Sequence, residues 1–230
     1  MSDFQIQKLT WDSTFFGHKI GKAETKNTLN NKQLLESIEK SSYDMVQVFS
    51  NQNLGSSFKY NPIDVKLTYS KNVLTATTNN PSIKSITKDL DGTLVKLAIE
   101  AGIYSRYKTD KNLQWKFEEM YEIWMNKSLK RELAAEVFVF QDENRINGMV
   151  TINKKLKKAE IGLIAVDNKV QSKGIGTQLL QSVENWALKH NLENICVETQ
   201  EENYNACQFY EKNNYKISDK TYIYHIWKNA

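Results

Sequence analysis

The stretch that most constrains this chain is a glycine-bearing turn that follows an apolar run in the C-terminal half. Residues 161–166 read IGLIAV, and residues 170–180 read VQSKGIGTQLL. Apolar side chains then recur at helical spacing, at Leu179, Leu180, Val183, Trp186 and Ala187. A strand that passes through such a turn into a helix exposes unpaired backbone N–H groups at the positive end of the helix dipole. The sequence therefore predicts a binding site for an anion such as phosphate.

Two glycines suit the turn to this role. Gly174 and Gly176 have no Cβ, so a phosphate can approach the backbone closely, and Gln171 and Lys173 add side-chain donors. A dinucleotide-binding fingerprint needs a third glycine where this chain has Leu179, and a P-loop needs Gly-Lys-Ser or Gly-Lys-Thr, which is absent. Both alternatives are excluded, whereas a purely structural turn stays open on these residues alone.

A polar stretch, Thr75–Ser82, divides the chain. We predict a smaller N-terminal α/β domain over residues 1–80 and a larger domain over residues 81–230, since 230 residues suit one sizeable core with an appended unit. A helix is predicted over residues 31–40. The predicted strands of the smaller domain are FQIQKL, HKIGKAE, YDMVQVFS and VKLTYS.

The larger domain begins with two predicted helices. Asp91 caps the first and Gly102 ends it, while apolar residues three and four apart between positions 117 and 125 face the core from the second. An antiparallel meander of EVFVFQ, GMVTIN and AEIGLIAV follows. After the glycine turn come a helix to His190, the strand ENICVETQ, a helix over Asn203–Lys212 and the closing strand KISDKTYIYHIWK. The predicted class is α/β (α+β), with a mixed, mostly antiparallel sheet flanked by helices.

Composition excludes several classes of protein. The net charge of +4 is too small to indicate nucleic-acid binding and favours small anionic ligands. No apolar stretch is long enough to cross a bilayer, and the first residues lack the pattern of a secretion signal, so we expect a soluble cytoplasmic protein without membrane insertion. Cys196 and Cys207 are expected to be buried, reduced thiols, and without clustered histidines they predict no metal site.

Three short motifs carry a resemblance to a known family. In chain order they are Val166, Gln171-x-x-Gly174-x-Gly176 and Asn205-Ala206-x-x-Phe209-Tyr210. Their order and spacing resemble the GNAT superfamily of acyl-CoA-dependent N-acyltransferases over roughly residues 83–230. One departure is visible, because the family often has glycine where Asn214 precedes Tyr215. Asparagine also tolerates the left-handed conformation that ends a helix.

The resemblance implies the GNAT fold, with acetyl-CoA or another short acyl-CoA as co-substrate. It implies that the strand ending at Val166 splays from its neighbour and offers backbone N–H groups to the pantetheine arm and the thioester. The implied coenzyme A contacts are Ile164, Ala165, Val166, Gln171, Ser172, Lys173, Gly174, Ile175, Gly176, Thr177 and Asn205. It also implies direct transfer with Tyr210 as the general acid, which suits a phenol with a reference pKa of about 10.

The N-terminal segment narrows the resemblance. LTWDSTFFGHKIGKAE and the later Ser105-Arg106-Tyr107 resemble bacterial nucleotide-sugar N-acetyltransferases of the dTDP-fucosamine type. That resemblance implies transfer of an acetyl or small acyl group such as 3-hydroxybutyryl to the C3 or C4 amine of a dTDP-linked amino-6-deoxyhexose, for lipopolysaccharide O-antigen synthesis. Aromatic faces stack on bases, and guanidinium groups bind diphosphates. The candidate acceptor contacts are Phe15, Phe16, Gly17, Arg106 and Tyr107.

Several points stay open at this stage. Glu160 and Glu198 are candidate bases for the acceptor amine, whereas the scattered His18, His190 and His225 have no evident partner. Another amine, in a polyamine, an aminoglycoside or a protein, is the alternative acceptor class, and a non-catalytic acyl-CoA-binding module is the alternative to an enzyme. The resemblance also makes a homodimer an expectation.

Overall fold

A computed structural model describes residues 5–25, 31–55, 58–78, 80–89, 91–143 and 145–228. The strands within those ranges are β1 (Gln7–Lys8), β2 (Ile20–Thr25), β3 (Met45–Ser50), β4 (Asp64–Asn72), β5 (Ile83–Ser85), β6 (Glu136–Asp142), β7 (Arg145–Lys155), β8 (Lys158–Val166), β9 (Asn194–Gln200) and β10 (Lys216–Trp227). The α-helices are α1 (Thr10–Phe16), α2 (Asn31–Lys40), α3 (Thr93–Ala101), α4 (Arg106–Thr109), α5 (Phe117–Leu129), α6 (Ile175–Lys189) and α7 (Tyr204–Lys212).

The strands form one sheet in the order β1-β2-β3-β10-β4-β9-β8-β7-β6-β5. Among the strands of the described ranges, only the pairs β2–β3 and β8–β9 are parallel. The predicted class, a mixed and mostly antiparallel sheet flanked by helices, is confirmed. The closing strand β10 pairs with both β3 and β4, so strands from either side of residue 80 share this sheet. The division of the chain at that position stays a prediction.

Helices cover both faces of the sheet. One core lies between the sheet and α1, α3 and α5, with Phe16, Leu97 and Met120 among its buried members. The opposite face carries a core under α6 and α7 and another under α2. The apolar stripe predicted between residues 117 and 125 is therefore a core-facing stripe. No helix of the described residues is both long and apolar enough to span a membrane.

Candidate active site

The parallel strands β8 and β9 separate halfway along their length. Their described pairing runs from Lys158–Asn194 to Ile161–Val197 and ends there, although β8 continues to Val166. A β-bulge lies at the same point, because Gly162 and Leu163 together oppose a single residue of β7, Thr151. A bulge bends its strand. A gap therefore opens between the C-terminal ends of the two strands, as the resemblance implied.

The bulge depends on glycine and on a side-chain hydrogen bond. Leu163 donates its backbone N–H to Thr151 Oγ1 over 2.8 Å, which satisfies a ladder group that the bulge displaces. A Cβ at Gly162 would lie 2.9 Å from that same oxygen. A larger residue at position 162 would push β7 and β8 apart, so the second residue of IGLIAV is matched to Thr151.

The glycine turn follows β8 and has the shape of an anion-binding nest. Ser172 and Gly174 have positive φ angles of 63° and 79°, and α6 begins at the next residue, Ile175. Within the described chain, the backbone N–H groups of residues 171–177 donate to no backbone carbonyl. Alternating left-handed residues turn successive N–H groups toward a common point. The turn therefore presents unpaired donors at a helix N-terminus, which fits a phosphate.

Side chains around the turn brace it and leave it open. Gln171 Nε2 donates to the Val166 carbonyl at 3.1 Å and to Asn168 Oδ1 at 2.7 Å, so this side chain links the turn to the end of β8. Lys173 is exposed. A Cβ at Gly174 would find only Gln178 Nε2, at 3.9 Å. The space before the turn is thus free for a phosphate and its approach.

Gly176 brings the three motifs together. A Cβ at this residue would lie 2.9 Å from the Phe209 ring and 3.8 Å from Val166 Cγ2. The absence of a side chain thus lets α7 pack against the first turn of α6, beside the end of β8. Residues that are 33 positions apart in the sequence meet there because Gly176 has no Cβ.

The predicted acid, Tyr210, lies in the core beneath α7. It is 3% exposed, and its ring centroid lies 5.5 Å from that of Tyr69, 5.4 Å from that of Phe209 and 6.1 Å from that of Tyr215. Burial raises the pKa of the Tyr210 phenol well above its ordinary value. The hydroxyl is therefore protonated at neutral pH, as a proton donor must be.

The ends of α7 are set by asparagines. Asn203 caps the helix, since its side chain accepts the Ala206 N–H at 3.2 Å. Asn205 is the second residue of α7 and is exposed. The predicted helix also begins at Asn203, and the structure gives this residue the capping role that asparagine often has at a helix start. Asn214 has a φ of 64°, so the expected left-handed asparagine at the helix end is confirmed.

The predicted acceptor residues lie together on the opposite face of the sheet. The rings of Phe16 and Tyr107 are buried and stacked at 5.7 Å, and Arg106 donates to the Tyr107 hydroxyl at 2.9 Å. Phe15 stacks on the half-exposed Trp11 at 4.8 Å. Gly17 ends α1 with a φ of 74°. Phe16 and Tyr107 stack on each other, which leaves the Trp11–Phe15 pair as the more accessible aromatic surface.

The two glutamates considered as bases are ion-paired at the surface. Glu160 accepts from Lys155 at 3.2 Å, and Glu198 accepts from Lys66 at 2.7 Å. His225 does have a partner, because its Nδ1 lies 2.5 Å from Asp110 Oδ2 in a buried pair. Asp64, which the sequence analysis did not single out, is 6% exposed at the start of β4. Its only signal in the sequence is that it is an acidic residue at the start of a strand with alternating apolar residues.

Two further observations concern ligands. A groove of about 670 Å³ lies between α6 and the strands β5 and β6, where Phe138, Gln181 and Trp186 are among its lining residues. None of the motif residues lines it, so it is separate from the turn and the gap. In the part of the chain that the structure describes, no three His, Cys, Asp or Glu residues are grouped as metal ligands.

Comparisons with known proteins agree with this geometry. Over the whole chain, the structure resembles a conserved protein of unknown function from Staphylococcus epidermidis ATCC 12228, with a TM-score of 0.68 at 15% identity over 92% of that protein. A GCN5-related N-acetyltransferase from Sphaerobacter thermophilus aligns over 91% of this chain and 74% of its own, with a TM-score of 0.50 at 12% identity. At these identities the likeness concerns the fold, in which a separated strand pair lies beside an anion-binding turn.

The family follows from sequence comparison. Residues 101–215 match the profile of the acetyltransferase (GNAT) family. Streptothricin acetyltransferase A from Bacillus subtilis is 30% identical over 121 residues, which are 52% of this chain and 69% of that enzyme. The chain spans about half the length of two further curated relatives, 52% of one and 47% of the other. The chain belongs to the acetyltransferase (GNAT) family, whose members are acyl-CoA-dependent N-acyltransferases.

Proposed function

We propose that this protein transfers a short acyl group from coenzyme A to the amine of a small-molecule acceptor. The observation that carries the proposal is the nest of unpaired N–H groups at residues 171–177, placed where β8 separates from β9. The turn supplies a site for the pyrophosphate of coenzyme A, and the gap supplies a place for the pantetheine arm between the strand ends. Backbone N–H groups of Ile164 and Val166 polarise the thioester carbonyl, since the neighbouring N–H groups of Leu163 and Asp167 are directed to β7 and those of Ile164 and Val166 to the gap.

Tyr210 completes the proposed reaction. The neutral acceptor amine attacks the thioester carbon directly, the carbon–sulfur bond breaks, and the departing thiolate takes a proton from the Tyr210 hydroxyl. The nitrogen, which becomes cationic on attack, releases one proton as the amide forms, and a proton from solvent restores the Tyr210 hydroxyl. Burial raises the pKa of this phenol, so the hydroxyl stays protonated at neutral pH but donates its proton less readily than an exposed tyrosine would. No cysteine intermediate is needed, because the amine reacts with acyl-CoA itself.

For the acceptor we propose a dTDP-linked amino-6-deoxyhexose, acetylated or acylated with a group such as 3-hydroxybutyryl at C3 or C4. The support is the resemblance of the N-terminal segment to nucleotide-sugar N-acetyltransferases and the clustering of Phe15, Phe16, Arg106 and Tyr107 on one face. Trp11 and Phe15 provide the aromatic surface for the thymine base, and Arg106 provides the guanidinium for the diphosphate. A cytoplasmic homodimer acting in surface-polysaccharide synthesis is part of this proposal.

A second acceptor follows from a specific similarity. Streptothricin acetyltransferase A is 30% identical to this chain over 121 residues, and its name states the substrate on which that relative acts. Streptothricin is therefore the second candidate substrate, and it needs no nucleotide-binding surface.

The test supplies acetyl-CoA or 3-hydroxybutyryl-CoA with dTDP- and UDP-linked amino sugars and with streptothricin, and follows thiol release and product mass. The matched controls are the same nucleotide sugars with a hydroxyl in place of the amine. Release with one dTDP-amino sugar alone, with a product heavier by one acyl group, supports the first acceptor. Release with streptothricin alone replaces it with the second, and no release with any amine contradicts the proposed transfer to these classes.

A further inference from the structure

A cluster of polar side chains is buried on the sheet face that carries α1 and α5. Gln47 of β3 lies opposite His225 of β10, and Asp64 of β4 lies opposite Ile223. Residues directly opposite each other on paired strands share a face of the sheet, as do residues two apart on one strand. His225 and Ile223 are two apart on β10, so Gln47, His225 and Asp64 project to the same side. Burial raises the pKa of Asp64 and lowers that of His225, and the charge of Arg106, at the start of α4, acts on both groups, so Arg106 lies near the same patch.

This buried polar cluster is incomplete in its hydrogen bonds. Among the described residues, no partner is found for Gln47 Oε1, for either carboxylate oxygen of Asp64, for Arg106 Nε or for His225 Nε2. Gln47 is 0% exposed and Asp64 is 6% exposed. Folded proteins pair the large majority of their buried polar groups. So many unpaired atoms on one patch indicate that a polar ligand or ordered water completes it.

The cluster lies beside the gap between β8 and β9. Lys66, two residues after Asp64, is paired with Gln200 at the end of β9. The Gln200 side chain is close enough to Asp64 to lower the pKa of its carboxyl, although neither oxygen has a partner within full hydrogen-bonding distance in the described chain. Adjacent strands are about 5 Å apart, so Asp64 is one strand removed from the gap.

We propose that Asp64 is the carboxylate that binds the ammonium group of the acceptor and accepts its proton. The inference rests on the proposed function. One N–H bond of the ammonium breaks, the proton passes to a carboxylate oxygen, and the amine lone pair that this leaves attacks the thioester. The carboxyl then returns its proton to water after the amide has formed, so one proton is released per transfer.

The surroundings of Asp64 suit this role better than those of Glu160 or Glu198. Both glutamates have lysine partners, whereas Asp64 has an unshared carboxylate in a buried site. Burial raises its pKa to about 6, which keeps it ionised at neutral pH yet basic enough to hold a proton. The charged and titratable groups that face it are Arg106 and Lys66, which lower the pKa, Glu202, which raises it, and Tyr121.

The experiment compares wild type with D64N, which keeps the side-chain shape and removes the charge. The acceptor panel above is assayed from pH 5 to pH 9, coenzyme A affinity is measured by calorimetry, and the Asp64 carboxyl is titrated by NMR on aspartate-labelled protein. D219N is the matched control, because Asp219 is an exposed aspartate on β10. Unchanged coenzyme A affinity shows that D64N is folded.

Three results are informative. A fall of about 100-fold or more in kcat/KM for D64N, with loss of the acidic limb near pH 6 and with D219N at the wild-type value, supports the proposal. A D64N variant within threefold of wild type overturns it and leaves the acyltransferase function standing. If wild type acylates no amine, the proposed function fails separately. In that case the NMR titration tests whether Asp64 binds the ammonium group. A lower Asp64 pKa in the presence of a panel amine supports this role, and an unchanged pKa overturns it.

Discussion

The contact between Gly176 and Phe209 allows a sharp test of the anion-binding turn by the substitution Gly176→Ala. The new Cβ would lie 2.9 and 3.0 Å from two ring carbons of Phe209, whereas carbon atoms at optimal contact are about 3.5–4.0 Å apart. The ring must therefore shift by about 0.5–1 Å. Overpacking of this size costs about 1–3 kcal/mol, and the helix propensity of alanine over glycine returns about 1 kcal/mol. We expect a net loss of about 0–2 kcal/mol in the free energy of unfolding.

The expected loss of coenzyme A affinity is larger. The added methyl group lies 3.8 Å from Val166 Cγ2, at the end of the gap proposed for the donor, so the donor must move away from the turn. One hydrogen bond to a charged group, which such a movement would break, contributes about 1.5–3 kcal/mol. The Kd for coenzyme A should therefore rise about 10- to 150-fold. Calorimetry with coenzyme A measures this change, and urea unfolding measures stability.

Two further variants separate packing from phosphate contact. F209L in the G176A background gives the methyl group room, so stability should recover while affinity stays low. G55A is the matched control, since Gly55 has a φ of 74° and open space around it, so alanine costs about 1 kcal/mol there without touching the turn. A G176A variant that binds coenzyme A within twofold of wild type, or full recovery of affinity with F209L, would refute the reasoning.

Substitutions at three other positions give clear expectations. Y210F should lower kcat about 100-fold or more with the Kd for coenzyme A unchanged, and undiminished turnover in a stopped assay would remove Tyr210 as the acid. Because the folded-state pKa of Asp64 is raised to about 6, the native state holds an extra proton between about pH 4 and pH 6, so stability should fall as pH rises through that window, by up to about 3 kcal/mol. D64N should remove that slope in urea unfolding at a series of pH values, and an unchanged slope would contradict the assignment. N214A should cost about 1 kcal/mol because φ is 64° there, while N214G should be close to neutral, and equal losses in both would contradict a conformational cause.

The elements that sequence could predict are those with local signals. The stripe of α6, the meander of β6, β7 and β8, and the helix at Asn31–Lys40 follow from the spacing of apolar residues a few positions apart. The short strand β5 and the one-turn helix α4 were missed, because three or four residues carry no measurable periodicity. The turn at residues 171–177 was predictable because glycine and the following helix are adjacent in the chain.

The features that position the candidate site were not predictable in this way. The bulge that separates β8 from β9 depends on Gly162 and Thr151, and the packing of Gly176 depends on Phe209. Asp64 is distinctive only through neighbours such as Arg106, which lies 42 positions away in the sequence. Each of these contacts forms only when the chain folds, so no local sequence pattern predicts it.

The most direct test of the acyl-CoA assignment is an amide-resolved NMR titration of the protein with coenzyme A and, in parallel, with pantetheine, which lacks the pyrophosphate. The account predicts that the amide signals of residues 171–177 shift and become protected from exchange with coenzyme A but not with pantetheine, because only the former brings phosphates to the unpaired N–H groups. Coenzyme A that leaves these amides unchanged, or shifts signals elsewhere instead, would contradict the claim that this turn binds the donor.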